Sequence, residues 1–218
     1  MIFRLRYGLL MLLATCLQSA IAAPISTALT KEGYVASGEN KGVVLIAVNW
    51  ARRWQCGGFE NAQLQSMAFD LATKPGKGKS DQPDIALEPS STLLAGPSFV
   101  HYAFIVEPGE YQLSAFKLKV AKSIANIAYM KGDRSTLLVG GKSKAGSFTA
   151  VAGEIVYVGH FAVDCGGVPM PWRFYPEDRL GFDHYLKNFA AEFPGLPVEK
   201  AKFRLFQTET MGKPFSLE

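Results

Sequence analysis

The chain has 218 residues, 48% hydrophobic and 12% aromatic, with 23 basic and 19 acidic side chains for a formal net charge of +4. A chain of this size buries roughly 70% of its unfolded surface, so it does not depend on cross-links to have a core. Two of the cations, Arg4 and Arg6, fall in the expected leader, so the pI of about 8.9 gives no electrostatic footprint for nucleic acid.

Residues 1–22 have the three-part pattern of a secretory signal peptide: Arg4 and Arg6, then the apolar run Leu9–Leu13, then the small-residue site Ala20-Ile21-Ala22. The apolar run is too short to span a bilayer, which takes about 20 residues. Cleavage after Ala22 leaves 196 residues, expected as one domain over 23–218 with a helical appendage at about 181–218. The rival reading is a lipoprotein anchored through Cys16, although Thr15 departs from the Gly, Ala or Ser that usually precedes a lipidated cysteine.

Residues 24–42 are small, polar and Gly-punctuated and read as an arm, with Tyr34-Val35-Ala36 as a short edge strand. The dense β-branched run at 43–50 predicts a buried strand. Residues 61–73 fit a strand with an irregularity between Leu64 and Met67. Residues 74–97 form a long Gly/Pro/Ser-rich loop carrying Lys74, Lys77 and Lys79, with Ile85-Ala86-Leu87 as a short strand inside it. Residues 99–106 and 111–120 read as two strands joined at Pro108-Gly109 in a hairpin. Residues 121–130 alternate poorly and leave the assignment open, and 131–134 and 140–146 read as turns. Residues 148–152 and 154–165 form two strand segments around Gly153. In the second, Ile155, Tyr157, Gly159, Phe161 and Val163 are expected on one face, and apolar residues on both faces place it centrally in a sheet. A last strand is expected at 172–175, a helix over 183–193 with Asp183 as N-cap and Pro194-Gly195 as its stop, and a closing strand or packed tail at 203–207. The expected fold is mainly β: an antiparallel β-sandwich, immunoglobulin- or transthyretin-like, with one late C-terminal helix.

Removal of the leader leaves two cysteines, Cys56 and Cys165, each followed by Gly-Gly at the end of a strand-like run. An even pair in an exported chain predicts a disulfide, and the glycines let the two turns approach closely. Neither cysteine lies in a Cys-x-x-Cys or has a histidine at ligand spacing.

Pro108-Gly109-Glu110-Tyr111 and the run from Ala152 through Gly159, AGEIVYVG, carry a resemblance. They are similar to bacterial exported proteins and lipoproteins of unknown function that have a P-G-x-Y hairpin and a later aGE-x-V-Y-x-G strand. The resemblance covers residues 99–161 and implies a small sandwich and an envelope address, with no catalytic residues. Independently of it, Tyr111 and Tyr157 are suited to pin a corner by passing a hydroxyl to a loop carbonyl.

The chemical motifs fail one by one. Gly140-Gly141-Lys142-Ser143 ends like a phosphate-binding loop, yet Thr136 stands where the first glycine is required. Residues 141–145 lack the closing glycine of a nucleophile elbow. His101, His160 and His184 are far apart, and His160 lies about 13 Å along an extended strand from Asp164. No cofactor and no metal site is expected. One constellation stands out: Trp54 and Trp172 with Arg52, Arg53 and Arg173, expected to gather near the bridge with Met170, Phe174 and Tyr175. Aromatic rings beside guanidinium groups suit a sugar or an anionic polymer, whereas a core packed around the disulfide is the alternative use. The sequence thus favours a non-catalytic binding or interaction module of the cell envelope, partnered by an envelope protein or polysaccharide. The other reading is an envelope hydrolase drawing carboxylates from Glu154, Asp164, Glu177 or Asp178.

Overall fold

The computed structural model describes residues 26–72, 82–90, 96 and 98–213. The expected leader with Cys16, and residues 73–81, 91–95 and 97 of the long loop, lie outside the described residues. In chain order the elements are β1 (Ser26–Ala28), α1 (Lys31–Ser37), β2 (Gly42–Val48), β3 (Arg53–Cys56), β4 (Phe59–Leu71), β5 (Ile85–Leu87), β6 (Val100–Val106), β7 (Gly109–Ser123) and β8 (Asn126–Gly132). There follow α2 (Arg134–Leu137), β9 (Leu138–Val139), β10 (Lys142–Ser143), β11 (Ser147–Ala150), β12 (Ile155–Asp164), β13 (Met170–Phe174), α3 (Arg179–Glu192) and β14 (Lys202–Phe203). The protein is mainly β, with its strands in several sheets.

The first sheet runs β1-β6-β2-β12-β13, with β14 beside β12. Its pairs are antiparallel except β2–β12 and β12–β14, which are parallel. The second sheet runs β11-β7-β4-β3, with β5 on β4 and β8 on β7, and is antiparallel throughout. Val44, Ile46, Val48 and Phe161 from the first sheet share one buried core with Leu64, Phe69 and Leu118 from the second. Phe69 is its hub, meeting Phe148, Phe161 and Phe206 edge-on at centroid distances of 5.4, 6.2 and 6.0 Å. The opposite face of the first sheet packs Val43, Leu45, Ala47, Ile155 and Tyr157 against Phe182, Leu186 and Phe189 of α3. β2 is therefore covered on both faces, which is why every one of its residues is buried and its sequence does not alternate. Each such Val, Leu or Phe contributes about 1.5–3 kcal/mol by leaving water.

β12 lies centrally, between β2 and the β13–β14 edge, as its composition suggests. Its side-chain alternation does not run through, however. Ile155 and Tyr157 face α3, but Phe161 and Val163 face the second sheet. The pairing with β2 slips between Tyr157 and His160, and Gly159 sits in the slip at φ +110°. One extra residue reverses the side-chain faces, so His160 joins Tyr157 on the α3 side. The irregularity expected in residues 61–73 is present as a pairing shift between Leu64 and Ser66 in β4.

Three local expectations are corrected. Pro108-Gly109 does not close a hairpin: β6 pairs with β1 and β2, β7 pairs with β4, β8 and β11, and the dipeptide carries the chain from one sheet to the other. The Tyr111 hydroxyl pins that corner by donating to the Glu107 carbonyl at 2.9 Å. Tyr34-Val35-Ala36 lies in α1, because Thr30 caps the helix by accepting from the Gly33 N–H at 2.9 Å. Asp183 lies inside α3, ion-paired to Arg179 at 3.2 Å, and the N-cap is Asp178, which accepts from the Gly181 N–H. The open stretch at 121–130 resolves into the end of β7 and most of β8, and Gly140-Gly141 turns the chain between β9 and β10.

Candidate ligand-binding face

The outer face of the second sheet carries a basic, aromatic cleft at its β3–β8 end. Strand pairing sets side chains in rows across the sheet. Trp54 of β3 is opposite Asn61 of β4, Asn61 is opposite Ala121 of β7, and Ala121 is opposite Ile127 of β8. The next row is Gln63, Lys119 and Tyr129. Between and around these rows lies a shallow cleft of about 190 Å³ lined by Arg52, Trp54, Glu60, Lys119, Ile124 and Ile127, among others.

The ring of Trp54 is 59% exposed, and the Arg52 guanidinium lies 5.4 Å from its centroid. Lys117 Nζ lies 4.5 Å from the Tyr129 ring on the same face. Each cation–π pair at an exposed site is worth about 0.5–1 kcal/mol and holds the cation and the ring in a fixed relation. Lys119 and Arg52 outnumber Glu60 among the charged groups of the cleft lining, so its charge balance is positive.

β3 holds Trp54 in place through its own C-terminal end. Cys56, fully buried, is joined to Cys165 just beyond β12, with a Cα–Cα distance of 4.5 Å and a sequence separation of 109. The two Cys-Gly-Gly turns are pressed together: a Cβ on Gly57 would lie 2.1 Å from the Gly167 carbonyl oxygen, so no side chain fits there. Between Trp54 and Cys56 the backbone of Gln55 takes φ +53°, the one left-handed non-glycine residue among those described. Such a conformation costs of order 1–3 kcal/mol and persists where its surroundings fix it.

The expected constellation divides. Arg52, Arg53 and Trp54 are at the β3 edge of the second sheet, and Arg53, exposed, is opposite Ala62 and so falls on the other face from Trp54, outside the cleft lining. Trp172 and Arg173 are on β13 of the first sheet, opposite Ala162 and Phe161. Phe161 points into the core between the sheets, and Arg173 with it, leaving that arginine 2% exposed. Its guanidinium donates to the carbonyls of Phe206 at 2.8 Å and of Lys213, and it packs 5.1 Å from the centroid of Tyr175. Arg173 therefore secures the C-terminal segment and does not face a ligand, and burial lowers its pKa.

The histidines also find partners that sequence spacing hid. Under α3, Tyr157 Oη and His160 Nδ1 lie 2.8 Å apart, and His160 is flanked by the rings of Phe99, Tyr185 and Phe174 at 4.6, 5.1 and 6.1 Å. His101, with its side chain 9% exposed, meets Tyr185 and Phe189 and shares a 2.5 Å hydrogen bond between Nδ1 and Glu192 Oε1. Burial, with the nearby His101, lowers the His160 pKa to about 4, and burial raises those of Tyr157 and Tyr185. The Tyr185 hydroxyl is buried beside that of Tyr157. The cluster lies between α3 and the first sheet, partly buried, and these ring contacts hold α3 on that face.

Of the four carboxylates considered for hydrolysis, Glu177 adjoins Asp178 in the chain and the other three have partners of their own. Glu154 pairs with Arg204 at 3.0 Å, Asp164 accepts from the Gly166 N–H at 3.3 Å, and Asp178 caps α3. Glu154 and Asp164 stand at opposite ends of β12, about 30 Å apart along an extended strand. Ser143 donates its hydroxyl to the Leu113 carbonyl at 2.9 Å. Among the described residues no group of three or more His, Cys, Asp or Glu is placed to hold a metal ion, and no helix is long and apolar enough to cross a membrane. No family model matches the chain, and no curated protein or solved structure matches it either.

Sequence reasoning singled out Arg52 and Trp54 and missed Lys119, Ile124 and Ile127. The alternation of residues 111–120 was a signal for Lys117 and Lys119 on one face, but only the β4–β7–β8 register brings that face to Trp54.

Proposed function

We propose that this chain is a non-catalytic binding module of the bacterial envelope, an immunoglobulin- or transthyretin-like sandwich that recognises an anionic polysaccharide on the outer face of its second sheet. The observation that carries the reading is Trp54: a large ring more than half exposed, held by a strand that a buried disulfide anchors, with Arg52 and Lys119 beside it. A sugar ring presents an apolar face suited to the indole, and its acidic substituents suit the two cations. The disulfide and the signal-like leader support an oxidising compartment outside the cytoplasm, periplasmic or secreted.

The test is calorimetric titration of the oxidised protein with an acidic polysaccharide such as polygalacturonate and with neutral dextran. Binding is expected for the acidic polymer alone. It should weaken about tenfold or more in Trp54→Ala, as expected of an exposed aromatic anchor, and fall with added salt. Equal affinity for both polymers, or unchanged affinity in Trp54→Ala, overturns the reading.

A further inference from the structure

We propose that β8 is the docking edge for a second copy of this chain, the two β8 strands pairing antiparallel about a two-fold axis through Ala128. This rests on the strand edges and stands apart from the polysaccharide reading. Most edges of the two sheets are short or closed. β1 and β5 have three residues each, and β3 has four and ends in the disulfide. β13 is met by the C-terminal segment, through the Arg173 N–H to the Met211 carbonyl and a bridge to Gly212, and β11 is bridged to Gln207.

β8 differs from all of these. It has seven residues, and among the described residues it pairs with β7 alone, so its other side presents unpaired backbone donors and acceptors. It has no proline, and its one edge-blunting charge, Lys131, stands next to its last residue. Its apolar side chains are open to water, Ile127 and Tyr129 on one face and Ala128 on the other, and Ile124 in the preceding turn is more exposed still.

The sequence of the strand is self-complementary. With Ala128 opposite its own copy, Ile127 falls opposite Tyr129, Asn126 opposite Met130, and Lys131 opposite Ala125. The register makes two β-branched–aromatic cross-strand pairs, the favourable kind, and opposes no like charges. The axis is perpendicular to the sheet, so the joint continues the second sheet from one protomer to the next. It also sets both Trp54 clefts on the same face. An interface of one strand pair is small, and the dimer is expected in the micromolar range.

The experiment is sedimentation of the full, oxidised chain between about 1 and 100 µM, together with three variants. The wild-type mass should double across that range. Ala128→Lys opposes two like charges at about 5 Å and should stay monomeric while keeping the wild-type circular dichroism spectrum. Ala128→Cys should cross-link to a covalent dimer under mild oxidation. Ala125→Cys, equally exposed but opposite Lys131, should not. A wild-type chain monomeric throughout, a dimer that survives in Ala128→Lys, or equal cross-linking of the two cysteine variants overturns the proposal.

Discussion

His160 shows how a single side chain couples packing to pH. It is held under α3 by Tyr157, Tyr185, Phe99 and Phe174, with His101 the neighbouring base, and its pKa falls from the ordinary 6.5 to about 4. Above pH 6.5 the imidazole is neutral in both the folded and the unfolded chain, and its packing contributes fully. As pH falls below 6.5 the unfolded chain takes up the proton and the folded chain does not, so stability declines until about pH 4 and then levels. The expected loss is about 3 kcal/mol over that window, since one pKa unit corresponds to about 1.4 kcal/mol. Urea denaturation at pH 4, 5, 6 and 7 should therefore show the wild-type protein losing stability relative to His160→Gln as pH falls. A gap between the two proteins that stays constant across the series would mean that His160 does not resist protonation in the fold.

At the scale of elements, β2 and β12 show what a sequence does and does not carry. Residues 43–48 are apolar without alternation, and that alone marks a strand covered on both faces, because a strand with one wet face would need a polar residue at every second position. β12 carries a similar signal, but its faces were assigned by straight alternation, and the bulge at Gly159 reverses them from His160 onward. A glycine inside a strand pattern was the available sign. It matters energetically as well, since a Cβ at Gly159 would lie 2.9 Å from Arg173 Cγ on a backbone at φ +110°. Gly159→Ala should cost about 2 kcal/mol or more. Gly140→Ala, in a turn with open space around it, should cost about 1 kcal/mol; urea melts of the two variants compare them directly. The candidate site was half legible for a related reason. Trp54 and Arg52 announce themselves by residue type, whereas Lys119 and Ile127 join them through pairing between strands some 60 residues apart, which no local pattern encodes. Arg173 has the right charge for a ligand, but its register opposite Phe161 turns it inward.

For the whole molecule, the covalent link between Cys56 and Cys165 joins the two sheets at the end where the candidate ligand face begins. Closing a loop of 109 residues restricts the unfolded chain by an amount worth about 4.7 kcal/mol in the chain-entropy model, and native bridges commonly deliver about 2–5 kcal/mol. The bridge also acts locally. β3 is a four-residue edge strand paired with β4 on one side only, and its end is fixed by Cys56 packed against Asp164 and Cys165. The left-handed Gln55 between Trp54 and Cys56 is held between that fixed end and the β4 pairing, so cutting the bridge removes one of its two constraints. The double variant Cys56→Ala/Cys165→Ala should therefore show two separable effects. Its unfolding free energy in urea should drop by about 2–5 kcal/mol. At temperatures where it is still folded, amide hydrogen exchange should quicken across residues 53–56 far more than in β2, because β2 is held by partners on both sides and covered on both faces while β3 relies on the bridge. Uniform acceleration over the whole chain would reduce the disulfide to a global staple with no particular hold on Trp54. Acceleration confined to β3, with weaker polygalacturonate binding in the same folded variant, would tie the covalent link to the binding face.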